Sequence, residues 1–63
     1  MMTTLLRLDA VKHRTALSRS RIYELLEAGL FPKPVKLSGR LNAWPDREID
    51  AWIAERIAER EAA

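Results

Sequence analysis

The 63-residue sequence predicts a mostly α fold: a small winged helix-turn-helix with three helices and a two-stranded β-hairpin, the wing, between helices 2 and 3. Three observations predict this fold. Two short amphipathic segments lie close together at about 9–28, and a tight connection joins them. A glycine-bearing turn flanked by short apolar runs follows at about 34–44. A longer apolar stripe with helical spacing then occupies about 46–60, so we expect one domain over 1–63.

The composition excludes several classes of protein. The chain has no cysteine and one histidine, so we expect neither a disulfide framework nor a zinc site of the usual kind, and no cofactor. No apolar run approaches the ~20 residues of a transmembrane helix. The first residues lack the basic segment and the long apolar segment of a secretory signal. We therefore expect a cytoplasmic protein whose small core is stabilised by packing alone.

The first helix is expected to begin with Asp9 as its N-cap and to run to about Arg14. The leucines of Leu5–Leu8 before it are expected to form a short extended lead-in. Ala10, Val11 and the aliphatic stem of Arg14 are expected to face the core. The following residues, "RTALS", are a connection short enough to make a helix-turn-helix unit with the second helix.

The second helix, about 18–28, has clear boundary signals. Ser18 is a good N-cap, and Gly29 is a natural stop. Ile22, Leu25 and Leu26 form the apolar stripe that would face the core. This helix is therefore predicted with both ends defined by local chemistry.

The charges of the second helix are inverted relative to the helix dipole. Arg19 and Arg21 lie in the first turn, whereas Glu24 and Glu27 lie towards the C-terminal end. The dipole favours the opposite arrangement by ~0.3–1 kcal/mol per charge. A broken local rule inside a consistent sequence is typical of a functional site, and basic side chains at a helix N-terminus suit a phosphate or a guanine edge. The alternative is that two solvated arginines have no function.

The segment after Gly29 predicts the wing. Pro32 and Pro34 exclude helix and favour extended backbone before them. The turn "SGR" then separates two short strands, 34–37 and 41–44. An isolated hairpin is marginally stable, so it must pack on the helices, and its expected anchors are Val35, Leu37 or Leu41, and Trp44.

The third helix is predicted from about 46 to 60. Pro45 suits the first position of a helix, and the acidic residues that follow it suit the helix dipole. The apolar stripe is formed by Ile49, Trp52, Ile53 and Ile57. We expect Trp44 and Trp52 to belong to the core; stacking on single-stranded bases is the alternative.

The charge is distributed unevenly along the chain. Residues 1–42 contain eight Lys and Arg against three Asp and Glu, a net +5, whereas 43–63 contain three Arg against six acids, a net −3. This asymmetry predicts a basic face for a polyanion and an acidic scaffold element behind it. Chance clustering of solvated charges is the alternative.

Further candidate binding residues lie in the second helix and the wing. Ser18 and Ser20 add hydroxyl donors to the basic helix start, and Tyr23 is expected at the margin of the core, either packing or reaching a phosphate. Lys33, Lys36 and Arg40 surround the predicted hairpin. An arginine at a hairpin tip is suited to a minor groove; the alternative is a basic edge strand that resists aggregation.

The sequence offers no catalytic site. It has no Gly-rich phosphate loop and no pair of carboxylates in an apolar setting, and its serines have no base to activate them. His13 is expected on a solvated helix face. We therefore do not expect an enzyme.

The order of motifs resembles the AlpA family of phage and prophage transcriptional regulators over about residues 5–57. The resemblance is carried by "LSRSRIY", "GLFPKPVKL", the following Arg40, and "AW" leading to "EIDAWI". It implies a small winged helix-turn-helix of the MerR-like and excisionase-like kind. Two departures are Ala16, where such sequences often have glycine, and Asp9, where they often have proline.

The resemblance also implies a function. The helix with Ser18, Arg19, Ser20, Arg21 and Tyr23 would enter the major groove, and the hairpin with Lys36 and Arg40 would touch the DNA backbone or the minor groove. We expect a transcriptional regulator of prophage or mobile-element type that binds double-stranded DNA sequence-specifically in the bacterial nucleoid. Because one protomer offers few contacts, we expect further copies on repeated sites or a dimer. The alternatives are an excisionase-type DNA-bending factor and, from another class, a protein-interaction adaptor that docks through the third helix.

Overall fold

The computed structural model describes residues 2–62, which form three helices and one antiparallel sheet. The helices are α1 (Leu8–Thr15), α2 (Arg19–Glu27) and α3 (Asp46–Ala62), and the strands are β1 (Leu5–Leu6), β2 (Val35–Ser38) and β3 (Leu41–Pro45). The mostly α class, with a hairpin between the second and third helices, is confirmed. The sheet order is β1-β3-β2, so the predicted two-stranded wing has a third strand. Across 2–62, no helix combines the length and apolar content needed to cross a membrane.

The third strand comes from the segment before α1. β1 pairs with β3 so that Leu6 lies opposite Trp44. The extended lead-in is therefore confirmed for β1 only, because Leu8 already belongs to α1. The predicted cap was wrong: Arg7 occupies the N-cap position without a side-chain hydrogen bond, and Asp9 lies in the first turn. The helix begins at Leu8, before the position that Asp9 would have capped, because β1 pairs with β3 and Leu8 packs against the core.

The connection between α1 and α2 contains an unusual backbone conformation. Ala16 ends α1 in the left-handed region, with φ 61° and ψ 20°, and its N–H donates to the carbonyl of Lys12 at 2.9 Å. The Thr15 hydroxyl donates to the carbonyl of Val11 at 2.8 Å. Ala16 therefore occupies a conformation that glycine adopts at lower cost.

The end of α2 is a Schellman motif. Gly29 has φ +74°; its N–H donates to the carbonyl of Leu26, and that of Leu30 donates to the carbonyl of Leu25. The predicted stop at Gly29 is confirmed, and the chain leaves α2 in a defined direction.

The wing is attached to the core through one strand. β2 is exposed over its whole length, whereas Ala43 and Trp44 of β3 are fully buried. Of the expected anchors, Trp44 is fully buried and Leu41, the alternative to Leu37, is half-buried. The expectation for Val35 was wrong, since Val35 and Leu37 are 42% and 45% exposed. β2 is an edge strand, and an irregularity in its pairing between Lys36 and Ser38 breaks its alternation.

The third helix follows the wing without a loop. Pro45 is the last residue of β3, opposite Leu5, and not the first residue of α3 as predicted. Asp46 begins the helix, and its carboxylate accepts hydrogen bonds from the N–H of Thr4 at 3.2 Å and of Arg47 at 2.8 Å. The predicted apolar stripe is buried at Ile49, whereas its last member, Ile57, is 45% exposed.

One core joins all three helices to the sheet. Its buried members are Leu6, Val11, Ile22, Phe31, Trp44 and Ile49. Trp44 has no exposed surface, and Trp52 lies at the edge of the cluster, where its ring meets that of Phe31 edge-on at 5.0 Å. The expected core role of both tryptophans is therefore confirmed.

Candidate nucleic-acid interface

The N-terminal end of α2 is capped and faces solvent. The Ser18 hydroxyl accepts a hydrogen bond from the N–H of Arg21 at 3.1 Å, and the Ser18 carbonyl accepts from Ile22. The N–H groups of Arg19 and Ser20 precede the first intrahelical bond and have no acceptor within the helix. All these residues except Ile22 are exposed. The helix start therefore offers two free donors and a positive dipole end to a ligand.

The two arginines of the first turn are held by neighbours one turn along α2. The Arg19 guanidinium lies 5.7 Å from the centroid of the Tyr23 ring, and Arg21 donates to the Glu24 carboxylate at 3.1 Å. The Arg21 and Glu24 side chains are 57% and 65% exposed, so their ion pair contributes little stability. These contacts orient both guanidinium groups along the helix and leave them accessible from solvent.

The outer face of α2 follows from the burial of the opposite face. Ile22 is fully buried, and Leu25 and Leu26 are half-buried. At 100° per residue, this arrangement directs Ser20 away from the core and places Arg21 on one flank of the outer face, whereas Arg19 lies beside the apolar stripe. Both arginine side chains are nevertheless exposed.

The wing carries three exposed basic residues. Lys33 lies in the extended segment before β2, and Lys36 in β2 is paired with Asn42. Arg40 is the second residue of the two-residue loop, after Gly39, whose φ is +53°. A positive φ at the first loop position matches a type II′ turn, which suits the twist of the strands. Arg40 is thus placed at the tip of the hairpin.

Two tryptophans fix the segment that connects α2 to the wing. The indole N–H of Trp52 donates to the carbonyl of Leu30 at 2.9 Å, and that of Trp44 donates to the carbonyl of Pro32 at 2.8 Å. Both acceptors belong to backbone outside helices and strands, and the Phe31 ring between them is buried against both indoles. These two bonds set where the wing leaves the body relative to α2.

Sequence reasoning did not find this positioning role. The available signal was the indole N–H itself, because a buried tryptophan usually requires an acceptor, and the two prolines keep residues 30–34 out of a helix that would pair their carbonyls. The pairing of donors and acceptors depends on the tertiary arrangement of β3, α3 and this segment.

All eight sequence-predicted binding residues are exposed. Five lie on α2 or its cap and three on the wing: Ser18, Arg19, Ser20, Arg21, Tyr23, Lys33, Lys36 and Arg40. The inward placement of the Arg14 stem was wrong, because that side chain is 43% exposed and donates to Asp50 at 3.0 Å. Arg14 therefore links α1 to α3 on the surface.

Comparison with known proteins identifies relatives from phage and bacteria. The family profile described as "Prophage CP4-57 regulatory protein (AlpA)" matches residues 4–57. A protein of Enterobacteria phage P4, "Uncharacterized protein ORF88", is 51% identical over 55 residues, which are 87% of this chain and 62% of that relative. The match therefore spans about three fifths of the phage protein's length.

A second relative comes from Escherichia coli (strain K12). It is described as "DNA-binding transcriptional activator AlpA" and is 34% identical over 58 residues, with 82% of this chain and 83% of that protein covered. No solved structure gives a significant match.

Proposed function

Because the chain belongs to the family of the prophage CP4-57 regulatory protein (AlpA), as its motifs predicted, we propose that it is a sequence-specific double-stranded DNA-binding transcriptional regulator. The description of the Escherichia coli relative supports this class of function. The observation that carries the proposal is the start of α2, where two exposed arginines and two free backbone donors replace the acidic residues that the helix dipole favours.

In this proposal α2 lies in the major groove with its first turn towards the bases. Arg19 and Arg21 are long enough to reach base edges, and bidentate hydrogen bonding of arginine to guanine is the commonest specific contact in that groove. Ser18, Ser20 and Tyr23 supply hydroxyl groups for phosphate oxygens or bases. The Tyr23 ring and the Glu24 carboxylate hold the two guanidinium groups before DNA binds, which lowers the entropy lost on binding.

The wing supplies the second set of contacts. Lys33 and Lys36 are proposed to bind phosphates, and Arg40 at the tip is proposed to enter the minor groove or to contact the backbone beside it. The hydrogen bonds from Trp44 and Trp52 support this assignment because they hold the wing and α2 in one arrangement. One protomer then offers five basic contacts, so tight binding requires further copies on repeated sites or a dimer.

Footprinting on the DNA flanking its own gene, followed by titration at several salt concentrations, tests the proposal. Each basic side chain on a phosphate contributes about −0.9 to the slope of log K against log salt, so the contacts proposed for Lys33, Lys36 and Arg40 predict a slope of about −2 to −3 for a protomer. The absence of a protected site, or an affinity insensitive to salt, would contradict it. An excisionase-type function uses the same surface and would be distinguished by a large bend in the protected DNA.

A further inference from the structure

An open groove lies between the C-terminal end of α1 and the C-terminal half of α3, apart from the residues proposed to bind DNA. Its volume is about 270 Å³. Trp52, Ile53 and Ile57 form its apolar part, and Ile57 is 45% exposed although it continues the core stripe of α3. A pocket with this lining accepts apolar side chains, because water in it has few hydrogen-bonding partners.

The other part of the groove is formed by guanidinium groups. Arg14, Arg56 and Arg60 line it, and none of the described residues that line it is acidic. The Arg56 guanidinium lies 4.9 Å from the centroid of the Trp52 ring, and its Nε is buried without a hydrogen-bond partner within 2–62. Arg14 and Arg56 are paired with Asp50 and Glu59, whereas Arg60 forms no ion pair with any described residue.

These arginines belong mostly to the acidic part of the chain. Residues 43–63 carry six acids and three arginines, yet two of those arginines, Arg56 and Arg60, line the groove and the acids do not. At 100° per residue, Arg56 and Arg60 lie on the same side of α3 as Ile49 and Ile53. The groove is therefore a cationic and apolar strip on a helix whose other faces are acidic.

We propose that this groove docks a partner protein through an acidic amphipathic helix. Carboxylates on the partner would bind Arg60 and the solvent-exposed guanidinium nitrogens of Arg14 and Arg56. Apolar side chains spaced by one helical turn would cover Ile53 and Ile57. A nucleic-acid backbone fits less well, since its phosphates would lie against two isoleucines, which donate no hydrogen bond, and against the Trp52 indole, whose N–H already donates to the carbonyl of Leu30. The site is distinct from the proposed DNA-binding residues, so both ligands can bind together.

The test measures binding of a fluorescein-labelled helical peptide, acetyl-EALEELLEALEELA-amide, to the full chain, with its lysine counterpart acetyl-KALKKLLKALKKLA-amide as the control ligand. We expect the acidic peptide to bind and the basic peptide not to bind. Arg60→Glu should weaken binding by about tenfold, because an attractive contact becomes a repulsive one. Ile57→Ser should also weaken it, since the covered apolar surface is lost.

Arg47→Glu is the matched control variant. It makes the same charge change at an exposed position on α3 that does not line the groove. We expect it to change peptide affinity less than twofold, and we expect Arg60→Glu to leave binding to a mixed-sequence DNA duplex unchanged. Melting curves of the three variants check that each remains folded.

Several results would overturn the proposal. One is the absence of binding between the wild-type protein and the acidic peptide. Another is an equal loss of peptide affinity in Arg47→Glu and Arg60→Glu, which would show that the peptide responds only to the net charge of the protein. Loss of duplex binding in Arg60→Glu would assign the groove to nucleic acid. Self-association of the wild type in sedimentation velocity, abolished by Arg60→Glu, would assign it to a second copy of the chain.

Discussion

Ala16 combines a left-handed backbone with a side chain that disfavours it. An L-residue in this region costs about 1–2 kcal/mol, and the residue forms the turn of the helix-turn-helix. Sequences of the AlpA family often have glycine at the position of Ala16. The strain lies in a surface turn, where a substitution changes the backbone energy without disturbing the core.

Ala16→Gly is expected to stabilise the protein by about 0.5–1 kcal/mol. The strain relieved exceeds the extra entropy that glycine adds to the unfolded chain. In a domain of this size, that gain corresponds to a rise in Tm of about 2–8 °C, measured by circular dichroism. Ala28→Gly is the control, because Ala28 ends α2 with φ −79°, and there the same substitution should destabilise. A lower Tm for Ala16→Gly would show that the turn is not strained.

Arg19 and Arg21 are the residues at which charge and helix dipole conflict. Their partners, Tyr23 and Glu24, are on the surface, so we expect the fold not to depend on the two arginines. Their local contacts offset only part of the dipole conflict, since an exposed pair contributes about 0.2–1 kcal/mol.

The double variant Arg19→Glu with Arg21→Glu is expected to stay within about 1 kcal/mol of the wild-type stability. The more favourable dipole interaction offsets the lost ion pair and the new repulsion from Glu24. DNA binding should be lost, because two positive charges become negative ones against phosphates and bases. A melting curve and a binding titration on the same protein measure both effects.

The control for this variant is Arg7→Glu with Arg47→Glu, which makes the same total charge change at exposed positions outside α2 and the wing. It should weaken DNA binding much less. Strong destabilisation of the α2 variant would show that the arginines maintain the fold, and retained binding would show that α2 does not face DNA.

At the scale of elements, the wing is attached to the body on one side only. β3 carries its buried residues, while β2 is an exposed edge strand. We therefore expect substitutions at the tip of the hairpin to leave the packing of the core unchanged. The wing is suited to substitutions that separate binding from stability.

Arg40→Ala is expected to weaken DNA binding by about 1–3 kcal/mol if the side chain enters a groove, with little change in Tm. The affinity is measured by titration of the protected DNA, and Arg47→Ala on α3 is the control, with a small expected effect. An Arg40→Ala binding curve identical to that of the wild type would exclude the wing tip from the interface.

At the scale of the whole molecule, the tryptophans join elements that are distant along the chain. Trp52 packs on Phe31 and donates to the carbonyl of Leu30, so α3 holds the segment between α2 and the wing. A domain of this length has about 3–9 kcal/mol of stability, so the loss of one such residue is a large fraction of it.

Trp52→Ala is therefore expected to cost about 3–5 kcal/mol and to unfold much of the protein at room temperature. Trp52→Phe, which keeps an aromatic ring on Phe31 but removes the indole donor, should cost about 0.5–1.5 kcal/mol. Denaturant titrations of the two variants measure the difference. A Trp52→Ala variant that stays folded would show that the contacts of Trp52 with Phe31 and Leu30 are not required for the fold.

The sequence by itself determined the elements whose signals are local. The Ser18 cap, the Gly29 stop, the turn at Gly39 and the apolar stripe at Ile49 depend on residues within a few positions of one another, and the boundaries of α2 follow from them. The eight exposed residues that are proposed to bind DNA were candidates for the same reason. The inverted charges of α2 and the basic residues around the hairpin can be read directly from the order of residues in the sequence.

Only the tertiary structure decided the features that depend on contacts between distant segments. The pairing of β1 with β3 shifts the start of α1 to Leu8 and ends β3 at Pro45, although Asp9 and Pro45 each suit a helix start locally. The burial of β3 instead of β2, and the hydrogen bonds from Trp44 and Trp52, depend on which side of the hairpin meets the core. Local propensities of about 1 kcal/mol are overridden there, because strand pairing and the burial of a whole side chain contribute more.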